Sequence, residues 1–570
     1  MAETYGGALP DVPDHLTIPQ FMLDSHHVTR PVIKAPKPWY INPTTGYSLY
    51  PDEACIPIRA RVYGLANSLS SRWLCIYSPN NIDYPGVIWA IHRLGAIVTA
   101  ANPSYNAEEL KHQLVISKAK LIIAHPWNHA IALVAATDAG IPSDHILMME
   151  APESGTATYP AVQQLTAEGL SMPQLYEERR LRPGEAKTKL AFLSFSSGTT
   201  GKPKAVCISH YNLIANVTQV AQRATATDFP SEDLKPIRVG DVALGDIFGL
   251  VISVHFIVYY GHSLVVLPKF ELLQVLHVIQ RYRVNSLQVV PPIMVLLCKH
   301  PAVEKFDLSS IRFCLSGGAP LSAELTNLVG EKFPHILHIG QAYGMTETCT
   351  AVTFPHIAKR LGTLGSAGRL LDGVVARVLK RDGSLAGVNE PGELVVSGPS
   401  MTLGYLDNEE ATRETFKDGW IHTGDEVVFN EEGDLFVVDR IKELIKVKGF
   451  QVAPAELEGH ILEHPDVSDT CVVSISDEYR GEIPLAFVAL SGGAVEHMKK
   501  IPSVGPQIKA SIMKHVADRT IHYKHLSGGV EFIQAIPKNP SGKLLRRVLR
   551  DQARELQKQG KLSSQLKAKL

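Results

Sequence analysis

A short stretch rich in glycine, hydroxyl and lysine side chains has the composition of a phosphate-binding loop. It reads Ser196-Ser-Gly-Thr-Thr-Gly-Lys-Pro-Lys204 and follows a predicted strand at 190–195, with a helix predicted from about Ser209. Glycine permits close backbone approach to a ligand, exposed N–H groups form a nest for anions, and lysine adds compact charge. The spacing is not that of a Walker P-loop, because only two threonines separate the glycines and a proline follows the first lysine. A solvated turn is the alternative to a polyphosphate site.

A second polar segment, Gln341-Ala-Tyr-Gly-Met-Thr-Glu347, follows a strand-like run at 335–339. Tyr343 offers an aromatic face to a base, and Thr346 offers a hydroxyl to a phosphate or carboxylate. Glu347 is an oxygen ligand of the kind that Mg²⁺ takes from proteins. This segment therefore predicts a nucleotide and metal site. The structural alternative is a helix start with Thr346 as its N-cap.

Three further segments place charged side chains beside predicted turns. Gly419-Trp-Ile-His-Thr-Gly-Asp425 ends in a carboxylate that can accept two hydrogen bonds from a diol. The stretch from Asp439 to Pro454 is rich in lysine, and its lysines have a solvated face as their alternative. Pro537-Lys-Asn-Pro-Ser-Gly-Lys543 ends in a lysine whose charge would stabilise the attack of a carboxylate on a phosphate.

In this order and spacing, the segments resemble the AMP-forming adenylating superfamily, which contains acyl-CoA synthetases, luciferases and the adenylation domains of peptide synthetases. The resemblance covers about residues 50–550 and is strongest at 442–454, where it favours the 4-coumarate:CoA ligase and luciferase-like branch. It implies that Tyr343 stacks on adenine, that Glu347 binds the metal, and that Asp425 and the pair Asp439-Arg440 contact the ribose. Lys543 is implied to promote adenylation.

The resemblance also assigns the remaining contacts. Lys442 matches the hinge of the small domain, Lys446 and Lys448-Gly449 match residues that face AMP and CoA, and Lys269 matches a further CoA contact. The implied nucleotide ligands are Ser196, Ser197, Gly198, Thr199, Thr200, Gly201, Lys202, Lys204, Ala319, Gln341, Ala342, Tyr343, Gly344, Thr346, Asp425, Arg440, Lys442, Lys446 and Lys543. Of these, Ala319 belongs to a Ser-Gly-Gly-Ala-Pro turn that is common outside this family.

The acyl pocket is implied to be lined by Phe248, Ile252, Gly340, Thr350 and Ala351, a set that favours an apolar chain or ring. Two positions depart from the family pattern. Ala205 stands where the branch usually has glycine, and Asp246 stands where relatives often have histidine. An acidic group there would repel a substrate carboxylate unless it is neutralised or turned away.

The alternation of strand-like and helix-like runs predicts the elements that position these groups. It occurs at 73–124 and again at 263–290, which indicates βαβ units and parallel sheets. Short β runs with glycine turns follow residue 387, and an α+β pattern occupies 439–570. We expect an α/β fold with a large N-terminal domain at 1–438, made of layered α/β subdomains and a β-rich part. A small mobile α+β domain is expected at 439–570.

Composition sets the broad class. The chain has 570 residues, a net charge of −1 and 45% hydrophobic residues, which excludes wholesale disorder and a basic nucleic-acid binder. The seven cysteines are odd in number and scattered, which fits a reducing compartment, and none has the C-x-x-C spacing of a metal or thioredoxin-like site. The N-terminus lacks the pattern of a secretory signal, and the most apolar segment, Ile247–Tyr260, is expected to be a buried helix rather than a membrane span. Residues 154–187 are expected to be an irregular connection.

These features predict an ATP- and Mg²⁺-dependent ligase that joins coenzyme A to an aryl or a medium-chain or branched carboxylic acid. No Leu-Gly-Gly-x-Ser segment follows Lys543, which favours a free thiol acceptor. The alternatives are a luciferase-like or carrier-protein-loading enzyme and a nucleotide-binding pseudoenzyme. Ala568-Lys569-Leu570 is similar to a peroxisomal address and predicts binding to an import receptor, with a cytoplasmic location otherwise. We expect a monomer or homodimer that binds no nucleic acid.

Overall fold

The computed structural model describes residues 3–32, 37–51, 73–151, 159–171, 178–196, 203–226, 237–240, 247–356, 360–448, 450–477, 479–538 and 544–562. Within these ranges the fold is mixed α/β, as the sequence predicts. No described helix is long and apolar enough to cross a membrane.

The first parallel sheet contains six of the described strands. From one edge their order is Ile146–Met148, Leu121–Ala124, Trp73–Tyr77, Ile97–Ala101, Leu190–Ser196 and Lys204–Ser209, and only the last pair is antiparallel. Its central strands are apolar and buried, as expected for strands covered on both faces. The strands predicted near 73–77, 96–100 and 121–124 are thus confirmed. Helix Ala107–Ser117 between two of them begins with a capping box of Asn106 and Glu109.

The second parallel sheet contains seven of the described strands and ends at the Gln341 segment. Its strands are, in order, His338–Gln341, Phe313–Ser316, Ser286–Val289, Ile237–Gly240, Ser263–Val266, Tyr40–Ile41 and Ser48–Leu49, with the last pair antiparallel. The strand predicted at 335–339 instead begins at His338. The strand–helix–strand pattern predicted at 263–290 is confirmed.

Helices pack against both sheets and contribute to the core. The described α-helices before residue 440 are Tyr84–Arg93, Ala107–Ser117, His129–Asp138, Val162–Ser171, His210–Ala226, Ile257–Tyr259, Leu272–Tyr282, Pro291–Lys299, Ala323–Lys332 and Glu409–Thr415. The segment predicted as a buried helix forms wide helical turns at Gly249–Phe256, continued by Ile257–Tyr259, and every residue of both is buried. That prediction is confirmed.

One prediction about the large part of the chain was wrong. Residues 154–187 were expected to be irregular, but Val162–Ser171 is a helix whose Val162 and Leu165 are buried. Its polar surface residues hid the spacing of the few apolar positions, because a helix with a narrow buried stripe gives a weak periodic signal.

The β-rich part consists of two antiparallel sheets. The larger has the order Thr4–Tyr5, Val375–Leu379, Gly392–Ser397, Trp420–Phe429 and Phe416–Lys417, and Leu435–Arg440 also pairs with Trp420–Phe429. The smaller contains Tyr343–Met345, Thr350–Phe354 and Arg369–Leu370. The predicted β character after residue 387 is confirmed.

The C-terminal part has its own sheet and core. Its strands are Phe450–Val452, Ile445–Val447, Gly481–Leu490 and Val467–Asp477, with Gly529–Phe532 paired to Gly481–Leu490. Its helices are Pro454–Glu463, Gly492–Lys500, Gly505–Ala517 and Arg546–Lys558. The two hydrophobic clusters around this sheet contain only residues from Ile445 onward among those described. This is the small α+β unit that the sequence predicts, while the boundary at Asp439 stays a prediction.

Candidate active site

The segment 341–347 leaves the second parallel sheet at the carboxyl end of strand His338–Gln341. Ligands of open α/β sheets bind at this edge. Gln341 Oε1 accepts a hydrogen bond from the N–H of Leu321 at 2.6 Å, and the N–H of Ala342 donates to the Ser316 carbonyl at 3.0 Å. These bonds attach the turn that contains Ala319 to the predicted nucleotide segment.

Tyr343, Asp425 and Arg440 form one connected group. The Tyr343 hydroxyl donates to Asp425 Oδ2 at 2.6 Å, and Arg440 Nε lies 3.4 Å from Asp425 Oδ1. Asp425 and Arg440 are opposite each other on paired antiparallel strands, which fixes their spacing. Burial and the neighbouring Asp425 carboxylate raise the pKa of Tyr343 well above its usual value. The structure thus brings together three of the residues that the sequence assigns to adenine and ribose.

Glu347 is buried and held by Tyr405, a residue that sequence reasoning missed. The Tyr405 hydroxyl donates to Glu347 Oε1 at 2.7 Å, and the N–H and hydroxyl of Thr402 donate to the Glu347 carbonyl at 3.0 and 2.8 Å. Burial and the Glu347 charge raise the pKa of Tyr405. Tyr405 stands 58 positions from Glu347, and no spacing pattern marked it.

The described ends of the phosphate-loop stretch meet near this tyrosine. Ser196 and Lys204 are register partners on adjacent antiparallel strands, and Lys204 Nζ lies 4.9 Å from the Tyr405 ring centroid. A cation over an aromatic face at this distance is attracted by the ring quadrupole. The predicted ligands between them, 197–202, lie outside the described residues.

The backbone between Gly344 and Ala351 is tightly folded. A Cβ at Gly344 would lie 1.6 Å from the Thr350 carbonyl oxygen, so only glycine fits there. Thr350 has φ +93°, which is rare for a β-branched residue and indicates backbone strain of the kind found at functional sites.

Thr346 begins a single helical turn, Thr346–Thr348, for which Met345 and not Thr346 occupies the N-cap position. The N-cap alternative for Thr346 is therefore not found.

Three of the predicted acyl-pocket residues belong to the main hydrophobic core cluster or pack against it. The Phe248 ring is 3.5 Å from the position of a Cβ on Gly317, and the Thr350 hydroxyl donates to the Ile247 carbonyl at 2.8 Å. Ile252 and Ala351 are buried in the cluster against which Phe248 packs.

Backbone hydrogen bonds position two residues of the predicted pocket, Gly340 and Ala351. Gly340 pairs with Leu315 on the neighbouring strand, two residues before the Gly317 that the Phe248 ring faces. Asn216 was missed by the sequence analysis. Its side chain accepts from the N–H of Ala351 at 3.1 Å and donates to the Ala351 carbonyl at 2.8 Å, which fixes that backbone.

The predicted lysines are mostly exposed. Lys442, Lys446 and Lys448 are exposed on the way into the small unit, and Lys269 Nζ pairs with Glu271 at 2.7 Å on the surface. In the part of the chain that the structure describes, none of these four lysines joins the group of Tyr343, Asp425 and Arg440 or the pair of Glu347 and Tyr405. Gly449 and Lys543, like Asp246 and Ala568–Leu570, lie outside the described residues.

Fold and site together define a nucleotide-binding enzyme of the adenylate-forming type, with a large and a small part. Family models agree: the AMP-binding enzyme model matches residues 66–406, and the AMP-binding enzyme C-terminal domain model matches 456–543. The chain belongs to the AMP-binding enzyme family.

Relatives narrow this class. The chain is 37% identical to "Probable 4-coumarate--CoA ligase 1" of Dictyostelium discoideum, across 84% of this chain and 85% of that one. It is 35% identical to "Peroxisomal OPC-8:0-CoA ligase 1" of Arabidopsis thaliana, across 83% and 82%. The crystal structure of the anthranilate CoA ligase AuaEII in complex with anthranoyl-AMP has the same fold, with a TM-score of 0.81, 21% identity, and 96% and 99% of the two chains covered. The predicted family and class, an acid–thiol ligase, are thereby confirmed.

Proposed function

We propose that this protein uses ATP to convert a carboxylic acid into an acyl-adenylate and then transfers the acyl group to coenzyme A. The observation that carries the proposal is the segment 343–347, which has the Tyr343–Asp425–Arg440 group at one end and the buried Glu347 at the other. The residues that we assign to the nucleoside and to a phosphate-bound cation are thus four positions apart.

Each chain group has a role in the first step. Asp425 accepts from the ribose hydroxyls, since it is already oriented by Tyr343 and Arg440. The substrate carboxylate forms a bond to the α-phosphorus, and pyrophosphate leaves with the electron pair of the broken P–O bond. We assign Lys543 to the charge that develops on the phosphate oxygens, a role in which removing one donor typically costs about 10²–10³ in rate.

The cation fits the donor set at Glu347. Tyr405 holds one carboxylate oxygen, Oε1, and we assign the other oxygen to Mg²⁺, which usually takes one or two carboxylates plus substrate phosphates. Mg²⁺ would neutralise phosphate charge there. Ser196, Lys204 and the stretch between them are assigned to the β- and γ-phosphates.

In the second step the CoA thiolate attacks the acyl carbonyl and AMP leaves. We propose that the small unit turns about Lys442 between the two steps and that Lys446, Lys448, Gly449 and Lys269 then contact AMP or CoA. The exposure of these lysines supports this role, because side chains that serve only one of two arrangements must be free of the core in the other. The proposed boundary is Asp439.

The acid is proposed to be an aryl or a medium-chain or branched acid. The support is the apolar character of Phe248, Ile252 and Ala351, which belong to one core cluster or pack against it, together with relatives named for 4-coumarate and OPC-8:0. Asp246 is the position expected to exclude acids with a second carboxylate near the ring or chain end.

The deciding experiment uses pure protein, ATP, Mg²⁺, CoA and a pool containing 4-coumarate, anthranilate, octanoate and OPC-8:0. Mass spectrometry of the products should reveal an acyl-CoA thioester together with AMP. Lys543→Ala should abolish acid-dependent pyrophosphate exchange, yet retain ATP binding and thioester formation from synthetic acyl-AMP. An absence of exchange with every acid, or a Lys543→Ala protein that turns over like wild type, would contradict the proposal.

We also propose peroxisomal import through Ala568-Lys569-Leu570, supported by the relative named as peroxisomal. The last twelve residues, fused behind a fluorescent protein, should direct it to peroxisomes. A fusion that ends in Ala568-Lys569-Ala should stay in the cytoplasm, and equal distributions of the two fusions would refute the signal.

A further inference from the structure

Helix Pro454–Glu463 is the element of the small unit whose two ends and middle contact the large part of the chain. Its Leu457 and Ile461 are buried in the core of the small unit. Its own sequence supplies no side-chain cap at the start, because the N-cap residue is Ala453. A helix end without a cap leaves N–H groups that need an acceptor.

The acceptor at the N-terminal end comes from a strand of the large antiparallel sheet. Asp439 Oδ2 accepts a hydrogen bond from the N–H of Ala455 at 3.0 Å, and Asp439 Oδ1 accepts from the N–H of Arg440 at 2.7 Å. Asp439 belongs to strand Leu435–Arg440 of the large antiparallel sheet and precedes the proposed hinge at Lys442. A carboxylate at this end is favoured by the helix dipole.

A lysine of the large part holds the opposite end. Lys299, the last residue of helix Pro291–Lys299, donates from Nζ to the Leu462 carbonyl at 2.6 Å and to the Val467 carbonyl at 3.0 Å. A cation is the charge that the C-terminal end of a helix favours. Burial of part of the side chain lowers the pKa of Lys299, although the residue as a whole is exposed.

The middle of the helix approaches the large part closely. A Cβ on Gly459 would lie 3.3 Å from Ser322 Cβ, which is tight contact. Glu324 and His460 also bring ligand atoms within 4.8 Å of each other across the same surface. The three contacts fix both the tilt and the position of the helix along its axis.

We propose that Lys299 and Asp439 are positioning residues that hold helix Pro454–Glu463 by its two oppositely polarised ends and so set the orientation of the small unit. A turn about Lys442 must break the Lys299 bonds, because they join atoms on the two sides of the hinge. The catalytic consequence rests on the proposed function: the bonds favour the half-reaction that uses this orientation and slow the one that uses the other.

The test compares Lys299→Met with two controls in the full-length protein. Lys299→Arg keeps a charged donor that can reach two carbonyls. Lys332→Met removes a part-buried lysine that donates to the Cys298 carbonyl at 2.7 Å wholly within the large part. Spin labels are attached to ketone-bearing amino acids introduced at positions 134 and 548, both about half exposed. Double electron–electron resonance then measures the distance between the large part and the small unit.

Lys299→Met should lower the population at the wild-type distance by about tenfold relative to other orientations, since a hydrogen bond from a charged donor has this weight. Lys299→Arg and Lys332→Met should keep the wild-type distribution. An unchanged distribution in Lys299→Met overturns the proposal, and so does an equal change in Lys332→Met, which would indicate general loosening.

The half-reactions supply the second readout, with the acid that gives the strongest pyrophosphate exchange in the pool. In Lys299→Met, exchange and the reaction of its synthetic adenylate with CoA should change in opposite directions. A parallel loss of both rates would contradict a positioning role. If no acid supports exchange, the proposed function fails, while the distance measurement still decides this inference.

Discussion

Tyr405 connects the carboxylate of Glu347 to the lysine that closes the phosphate-loop stretch. Its hydroxyl donates to Glu347 Oε1 at 2.7 Å, while Lys204 Nζ lies 4.9 Å from its ring centroid. The hydrogen bond to an ionised carboxylate is stronger than a neutral one and orients the oxygen atoms. One aromatic side chain therefore sets the position of both the proposed cation ligand and a proposed phosphate ligand.

Tyr405→Phe should impair the use of Mg²⁺ more than it impairs the fold. The ring remains for Lys204, but Glu347 loses the donor that orients it. We expect a several-fold rise in the Mg²⁺ concentration needed for half-maximal pyrophosphate exchange, and a loss of unfolding free energy of about 1 kcal/mol, typical of one hydrogen bond.

Tyr40→Phe is the matched control. The buried Tyr40 hydroxyl donates to the Val254 carbonyl at 2.8 Å, and this bond does not involve the Glu347 group. It should cost similar stability without altering the Mg²⁺ dependence. If the two variants shift that dependence equally, Tyr405 does not orient the cation ligand.

Asp425→Asn should weaken nucleotide binding selectively. The amide keeps the size of the side chain but loses the charge that pairs with Arg440 and one of the two acceptor oxygens. We expect the KM for ATP to rise about tenfold or more, since hydrogen bonds to charged groups contribute about 1.5–3 kcal/mol. Steady-state kinetics with varied ATP measure this change.

Asp434→Asn provides the comparison for that variant. Asp434 is equally buried and pairs with Arg369 Nε at 3.0 Å, outside the Tyr343 group. It should lower the thermal midpoint while leaving the KM for ATP unchanged. A KM increase of the same size in both variants would mean that Asp425 acts only through stability.

Local sequence patterns predicted the elements well, and contacts between distant residues poorly. The strands near 73–124 were predictable because strand and helix periods alternate clearly there. The Tyr343–Asp425 bond joins residues 82 positions apart, so only the family resemblance placed them in one site. Tyr405 and Asn216 gave no signal at all, because a single polar residue among apolar neighbours has no period. Their roles arise only when strands and helices pack.

Arg546 should be a major stability determinant of the small unit. Its guanidinium forms a two-pronged pair with Glu458, lies 2.9 Å from Glu443 Oε2 and donates to the Val472 carbonyl at 2.8 Å, with little solvent exposure. Arg546→Met should cost about 3–5 kcal/mol, because breaking a buried pair leaves an uncompensated charge at Glu458.

Replacing both partners should recover most of that loss. Arg546→Met/Glu458→Met removes the buried Glu458 charge that Arg546→Met alone leaves unpaired, so only the more exposed Glu443 loses a partner, and apolar replacements of such pairs are often neutral. Scanning calorimetry of the full chain measures both variants. Arg413→Met, which breaks the exposed pair with Glu409, should leave the transition unchanged. A double variant less stable than Arg546→Met would contradict this account.

Three buried histidines lie close together in the large part of the chain. Burial lowers the pKa of His92 to about 3 and that of His255 to about 4, and it also lowers that of His210. An unfolded histidine titrates near 6.5. Between pH 6.5 and 4 the unfolded chain therefore binds protons that the folded chain excludes, so stability is complete above this window and is lost as the pH falls through it.

His255→Asn should flatten this pH dependence. Its amide can replace the bond that His255 Nδ1 forms with the Leu250 carbonyl at 2.7 Å, but it does not titrate. At the acid limit, the lowered pKa of His255 reduces the unfolding free energy of the wild-type protein by about 3 kcal/mol, at about 1.4 kcal/mol per pKa unit. Thermal midpoints measured from pH 7 to pH 5 should fall less steeply in His255→Asn than in wild type. The thermal midpoints of His497→Asn, a change at an exposed helix position, should fall as steeply as those of wild type. Equal slopes in all three proteins would show that His255 does not carry the acid sensitivity.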